Sequence, residues 1–303
     1  MFSGESFGLE VLGWMATVFI FAFGLFILFL IGVYIADVTQ TKQAIRRNYP
    51  VIGHFRYYFE HIGTFFRQYF FTMDREEMPF NRAQRSWVYR AAKDIDNTVA
   101  FGSTRDIKLS GTVLFINTAF PTLGKDAVDC KPVIIGENSA RRPFTANSFF
   151  NISGMSYGAI SKPAIQALSY GANKARAWMN TGEGGLSPYH LEGGADIVFQ
   201  TGTAKYGVRD KEGKLSDEKL REIAAHENVR MFEIKMSQGA KPGKGGILPA
   251  AKVSEQIAEI RGITAGSDSI SPNRHPEIAS NDDLIDMIKH VREVTGKPAT
   301  CHQ

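Results

Sequence analysis

From Val11 to Ala36 the chain carries no charged residue and consists mainly of Phe, Leu, Ile and Val. A run of this length leaves few structures open. As a helix it reaches across the hydrocarbon layer of a bilayer with some tilt; a helix buried in a soluble core is the alternative. A cleaved signal peptide fits poorly, because no basic segment precedes the run and the run outlasts the apolar core of such a peptide. Glu5 and Glu10 come before it, and Lys42, Arg46 and Arg47 after it, so the positive-inside rule puts the following chain in the cytoplasm. Residues 1–40 are therefore expected to be a single-pass transmembrane anchor in the lipid bilayer.

The 303 residues leave room for one substantial further domain. Two cysteines, Cys130 and Cys301, are too few for a disulfide framework, a four-cysteine zinc site or an iron–sulfur cluster. The histidines (54, 61, 190, 226, 275, 290 and 302) are scattered without ligand spacing and read mostly as surface or loop residues, so no metal is expected. Arginines are frequent from Arg46 to Arg90, but no nucleic-acid module accompanies them, and a membrane surface explains them better than nucleic acid. Residues 41–145 read as an aromatic and basic linker followed by a pre-barrel region. Its segments His54-Phe-Arg-Tyr-Tyr-Phe-Glu-His and Phe65-Phe-Arg-Gln-Tyr-Phe-Phe suit either a membrane interface or packing on a soluble domain. Arg82 to Asp94 has a helical pattern.

Strand patterns begin near residue 100: Thr112-Val-Leu-Phe-Ile, Pro132-Val-Ile-Ile and Ser148-Phe-Phe-Asn-Ile-Ser. They then alternate with helices: a helix over 162–178, a short strand near Ala177-Trp-Met-Asn, a long loop, and a helix over 217–227. A strand over Val229–Lys235, a helix over 252–261 and a last helix from Ser280 to Gly296 complete the pattern. Successive strand–helix units predict an α/β fold with a parallel sheet and crossover helices. About four units fit, which is half of a (β/α)8 TIM-type barrel over residues 146–303. Functional groups in such a barrel sit on the loops after the strands.

The most informative of those loops follows Val229–Lys235. Lys235, Lys241, Lys244 and Gln238 are interleaved with Gly239, Gly243, Gly245 and Gly246, and a helical pattern follows, placing cations and free N–H groups where a phosphate or carboxylate binds. Gly239-Ala-Lys-Pro-Gly-Lys-Gly is not a nucleoside-triphosphate loop: its spacing is one residue short, and glycine stands where Ser or Thr would hold magnesium.

Gly154-Met-Ser-Tyr-Gly-Ala-Ile-Ser, Asn180-Thr-Gly-Glu-Gly-Gly, Ile234-Lys-Met-Ser-Gln-Gly-Ala-Lys-Pro-Gly-Lys-Gly-Gly and Ile270-Ser-Pro with a histidine-bearing segment occur in that order. Together they resemble the FMN-binding synthase domain of glutamate synthases over roughly residues 140–300, and the chain before them is similar to the membrane-anchored stand-alone members. The resemblance implies an FMN-linked oxidoreductase barrel that reduces the imine of 2-oxoglutarate and ammonia to glutamate. It implies Met155 and Ser156 along the flavin ring, Asn180 and Thr181 approaching from the next strand, and Lys235 near the ring's pyrimidine edge. It further implies Glu183, Gln238 and Lys241 around the keto acid, with Lys235 and Glu183 as the catalytic pair, and Arg261 as a further carboxylate partner. From the residues alone, Met155 serves equally as packing, Asn180 and Thr181 as turn residues, Glu183 as a loop cap and Arg261 as a charge at a helix end.

Some positions depart from the family pattern. Ile247 stands where a glutamine usually follows the glycine pair, and Lys205 where an arginine is usual. No N-terminal cysteine is present to hydrolyse glutamine, so ammonia is expected from solution or from an ammonia-supplying subunit, and electrons from a donor protein. The last residues, Lys297-Pro-Ala-Thr-Cys-His-Gln, no longer resemble the expected strand, and the chain is expected to be a truncated or frameshifted product. Two other functions remain open: a flavin oxidoreductase acting on another small acid, and an inactive membrane-tethered fragment.

Overall fold

The computed structural model describes residues 3–73, 76–95, 106–114, 116, 118–128, 131–239 and 243–302. The chain divides into two units, residues 1–117 and 118–303.

The first unit is helical. Helix α1 (Ser3–Thr39) contains the apolar run, and its Phe7–Thr39 stretch is long and apolar enough to cross a membrane. Helices α2 (Ala44–Asn48) and α3 (Gly53–Phe66) follow, the latter continued by a wider π-type turn over Arg67–Phe71. Helix α4 (Arg82–Ala92) matches the predicted one but for its last two residues. Asn81 caps it, accepting from Gln84 N while the Gln84 side chain accepts from Asn81 N. The strand expected at 112–116 does not form among the described residues. Gly111, with φ 84°, bends the chain just before it, and Val113 and Ile116 stay 84% and 90% exposed. β-propensity without a partner strand makes no strand.

The second unit is a mixed α/β structure. Strands β1 (Val133–Ile135) and β2 (Phe144–Ala146) form an antiparallel pair. The strand expected at 148–153 shrinks to Ile152, which bridges Met179 in parallel. Local bonds compete with it: Ser148 Oγ binds both N–H and carbonyl of Phe150, and the Asn151 side chain takes Trp178 N.

Beyond this point the elements run α5 (Lys162–Lys174), β3 (Trp178–Asn180), α6 (Pro188–Glu192), β4 (Asp196–Thr201), α7 (Asp217–Ala225) and β5 (Val229–Lys235). They continue through β6 (Ile247–Leu248), α8 (Glu255–Arg261), β7 (Ser269–Ile270), α9 (Asn281–Thr295) and β8 (Ala299–His302). Helix α5 stops at Lys174, four residues short of the expected end, and two residues later Arg176 takes a positive φ of 54°. The stretch read as one long loop contains α6 and β4. The closing segment, read as having lost its strand, forms β8 beside β5. Ser280 and Gly296 cap α9 as expected, the latter with φ 71°.

Strands β3, β4, β5 and β8 form one sheet in that order, all parallel. Its two faces differ sharply. Met179, Ile197, Phe199, Phe232 and Ile234 pack against Ile165 and Ala172 of α5, Leu220 and Ala224 of α7 and Val291 of α9. The alternate positions make a second set, in which Val198 and Met231 are covered by Phe144 and Ala146 of the β1–β2 pair. Further along the same side the strands become polar, with Asn180, Gln200, Glu233 and Lys235.

At the other end of the sheet, Lys297 is 6% exposed and donates to the carbonyls of His226 and Val229. Burial, helped by Arg142 and Arg230, pushes its pKa down from 10.5 to about 8. The unfolded chain therefore holds this proton more tightly than the folded one. Protonation penalises the fold fully below pH 8, and stability rises from about pH 8 to 10.5 as the unfolded state alone keeps the charge. Urea midpoints measured across that range are expected to climb in the parent chain and to flatten in Lys297→Met.

Candidate active site

The polar ends of β3, β4 and β5 open into a cavity of about 250 Å³. Three turns build it: residues 154–156 beside β3, residues 181–185 after β3, and the loop after β5. The first two touch closely. Gly182 has φ 63°, and a Cβ there would lie 2.8 Å from Ser156 N, so glycine alone permits the approach. Thr181 Oγ1 accepts from Gln200 N and donates to Gly182 O, tying the turn to β4.

On one wall, Lys235, Gln238 and Glu183 form a closed set. Gln238 Nε2 donates to Glu183 Oε2 at 2.5 Å, Gln238 Oε1 accepts from Lys235 Nζ at 3.1 Å, and Lys235 Nζ lies 3.3 Å from Glu183 Oε2. The Lys235 and Glu183 side chains are 21% and 18% exposed, which leaves both reachable from the cavity. Gly246 closes over this set: a Cβ there would fall 2.5 Å from Glu183 Oε1.

Arg261 stands on the opposite connection. It is 5% exposed, donates to Ser269 Oγ at 3.0 Å, to Ser156 Oγ at 3.2 Å and to Tyr157 O at 3.4 Å, and lies 5.1 Å over the Tyr206 ring. Burial pushes its pKa down, while Tyr206 and Glu183 oppose that shift. Its guanidinium thus holds the 156 turn to β7 while still lining the cavity.

Of the residues singled out from sequence, Met155, Ser156, Glu183, Lys235, Gln238 and Arg261 all line this cavity. Asn180 and Thr181 are buried behind it, 5% and 0% exposed. Lys241 lies outside the described residues. The loop after β5 does not run straight into a helix, as its pattern suggested. Strand β6 pairs with β7 first, Ile247 opposite Ile270, and a short 3-10 turn over Ala250–Lys252 precedes α8. Ile247 lines the cavity and is 57% exposed. Lys205 is 4% exposed and pairs with Glu277 at 2.9 Å.

Two residues of the site, Glu233 and Gln200, carry no signal in the sequence, and two more, His190 and His275, differ from the surface or loop reading. Glu233 Oε1 accepts from Asn180 Nδ2 at 2.8 Å and from Gln200 Nε2 at 2.6 Å, locking three neighbouring strands beneath the cavity floor. His190 and His275 are not surface residues: they are 0% and 2% exposed. His190 Nε2 lies 2.8 Å from Met155 O, and His275 Nε2 lies 2.9 Å from Lys235 O, so each fixes the backbone of a site residue. Burial pushes both imidazoles below their ordinary pKa, which keeps them neutral donors near neutral pH. Among the described residues no group of His, Cys, Asp and Glu is placed to hold a metal ion.

Residues 114–301 match the family described as a conserved region in glutamate synthase. The chain is 36% identical to the glutamate synthase large subunit-like protein YerD of Bacillus subtilis (strain 168), a match covering 88% of this chain and 58% of that protein. It is 29% identical to a glutamate synthase large subunit-like protein of Rhizobium meliloti (strain 1021), over 74% of this chain and 49% of that one. With the archaeal-type glutamate synthase [NADPH] of Thermotoga maritima it shares 39% identity, over 47% of this chain and 26% of that protein. The chain thus spans only about half the length of the first two.

Proposed function

Because the chain belongs to the glutamate synthase family, we propose that it carries the site of an FMN-dependent oxidoreductase that reduces the imine of 2-oxoglutarate and ammonia to glutamate. One observation carries this: a cation, an amide and a carboxylate from two separate strand-end turns meet within 3.3 Å on the wall of one cavity. The parallel strands run in chain order, with apolar residues at one end of a shared face and polar ones at the other. That order supports half of a (β/α)8 barrel with its site at the usual end.

The residues suit a flavin ring. Met155 and Ser156 offer a flat wall, Asn180 and Thr181 stiffen it from behind, and Lys235 brings positive charge. About 250 Å³ is below the ~300–1,000 Å³ of a drug-sized site, so the cavity accepts a ring or a small dicarboxylate rather than a whole nucleotide. When bound, FMN supplies the hydride. Lys235 and Gln238 donate to a substrate carboxylate, joined by Lys241 from the same loop. Glu183 accepts from the nitrogen that ammonia contributes and holds its proton. Arg261 positions Ser156 and adds positive charge for the second carboxylate. Electrons come from a donor protein, and ammonia from solution or a partner subunit. Helix α1 spans the bilayer and leaves the second unit in the cytoplasm.

The test uses the intact chain in detergent micelles with FMN, photoreduced without oxygen by EDTA as electron donor and then mixed with 2-oxoglutarate and ammonium. Flavin reoxidation with stoichiometric glutamate is expected. Ile247, apolar and exposed in the cavity, favours one alternative, a different small acid as acceptor; reoxidation by another oxo acid alone would select it. Reoxidation by none would overturn both.

A further inference from the structure

The first unit ends its apolar helix on a buried acid. Asp37, in the last turns of α1, is 4% exposed, and its carboxylate accepts Val51 N–H at 2.9 Å and lies 2.9 Å from His54 Nε2. Val51 has φ 67°, a left-handed conformation that a β-branched residue rarely adopts unless its surroundings impose it. Next to it, Gly53 packs so tightly that a Cβ would sit 3.1 Å from Arg46 Cα. Arg46 in turn stacks 5.2 Å over the Tyr57 ring. These contacts clamp the first turn of α3 to the foot of α1.

From that corner one apolar stripe runs along α3 and its continuation: Ile52, Phe55, Phe59, Ile62, Phe66 and Phe70, at helical spacing. Ile52, Phe55, Phe59 and Phe70 are 71%, 59%, 61% and 66% exposed. Phe55 and Phe59 stack with centroids 6.5 Å apart, and the tilted rings of Phe66 and Phe70 lie 5.7 Å apart, so ring pairs mark both ends of the stripe. Arg56, Glu60, Thr64 and Arg67 occupy the other side. Between residues 40 and 72 the basic residues are Lys42, Arg46, Arg47, Arg56 and Arg67, against Glu60 alone.

We infer that α3 is an interfacial helix, its phenylalanine stripe sunk into the headgroup boundary of an anionic bilayer and its arginines on lipid phosphates. The inference rests on α1 crossing the membrane. With Asp37 at the end of the apolar span, α3 starts at headgroup height, where an exposed aromatic ridge has lipid to enter and basic residues have phosphates to meet.

The test places one fluorophore at a time on the full chain, with Cys130 and Cys301 changed to Ser, in vesicles of phosphatidylcholine and phosphatidylglycerol. The labelled positions are Leu25→Cys in α1, Phe59→Cys and Phe55→Cys in the stripe, and Glu60→Cys opposite it. The stripe labels are expected to lose roughly half their emission to a lipid nitroxide near the headgroup and little to one at the chain end, since interfacial helices sink only ~5–10 Å. The Leu25 label answers to the chain-end nitroxide, and the Glu60 label to aqueous iodide. If the Leu25 label is quenched from the lipid while both stripe labels are quenched by iodide, the inference fails and the anchor stands. It fails equally if the stripe labels escape iodide and nitroxide alike, which would mean that protein covers the ridge. An iodide-accessible Leu25 label overturns the anchor, and this inference with it.

Discussion

If the proposed reaction is the right one, changing Lys235 to alanine is expected to lower glutamate formation by about 100–1,000-fold, the usual cost of removing one preorganised donor from a partly desolvated site. Lys235 is the last residue of β5, opposite His302 of β8 and one residue past the end of the pairing with β4, so the ladder sets its position. His275 fixes its carbonyl, and Gln238 and Glu183 fix its ammonium. A charge held by so many contacts needs little reorganisation as negative charge develops beside it. Arginine is not expected to rescue the loss, because a planar fork cannot occupy the point that the ammonium shares with Gln238 and Glu183. Because the side chain is partly open to water, removing it should leave the unfolding midpoint nearly unchanged. Turnover measured beside urea unfolding separates the two effects, and a large shift in midpoint would assign Lys235 a structural role instead.

The largest stability effect is expected from Phe232→Ala, about 3–5 kcal/mol. Phe232 is 0% exposed, lies in β5, and meets Phe199 of β4 with ring centroids 5.6 Å apart. Both rings face the helices, so truncation opens a void that α5, α7 and α9 line from above and the sheet blocks from below. Little collapse is available to refill it. Whole domains are typically stable by only ~5–15 kcal/mol, so the variant is expected near the edge of folding at ambient temperature. By contrast, Phe149, 67% exposed in the same unit, should tolerate alanine within about 0.5 kcal/mol. Equal costs at the two positions in denaturant unfolding would contradict the layered core.

Much of this fold was legible where a sequence carries both periodicity and punctuation. Strand β5 coincides with the apolar run from Val229 to Lys235, and α9 starts and stops at its Ser280 and Gly296 caps. Strand β4 was hidden because its apolar run, Ile197-Val-Phe, is short and bounded by Asp196 and Gln200. Its strand character comes from burial between β3 and β5, a tertiary fact. Once β4 is in place the floor of the site can be read by twos: Trp178 and Asn180, Val198 and Gln200, Met231, Glu233 and Lys235 alternate toward one side. Without it, Glu233 and Gln200 had no reason to be paired. The strands expected at 112–116 and 148–153 fail for the reverse reason, since their residues suit a sheet that offers them no partner or only one bridge. His190 and His275 were invisible because a buried histidine serving one backbone carbonyl leaves no spacing rule in the sequence.

The candidate site was more legible than the fold around it. Six of the residues singled out line one cavity, because glycine-rich turns and polar strand ends survive in sequence as motifs. Arg261 shows the limit. Its place at the end of α8 gave no hint that its guanidinium would bridge Ser156 and Ser269.

The most direct test is an FMN titration of the intact chain followed by flavin absorbance, run in parallel on Lys235→Ala and Phe149→Ala. If the turns near Met155, Glu183 and Gln238 form one face for a flavin ring, the parent and Phe149→Ala chains will give the same saturable, one-to-one spectral change. Lys235→Ala will then bind more weakly or with an altered spectrum. A flavin spectrum unchanged by the parent chain, or one changed identically by all three, would contradict it.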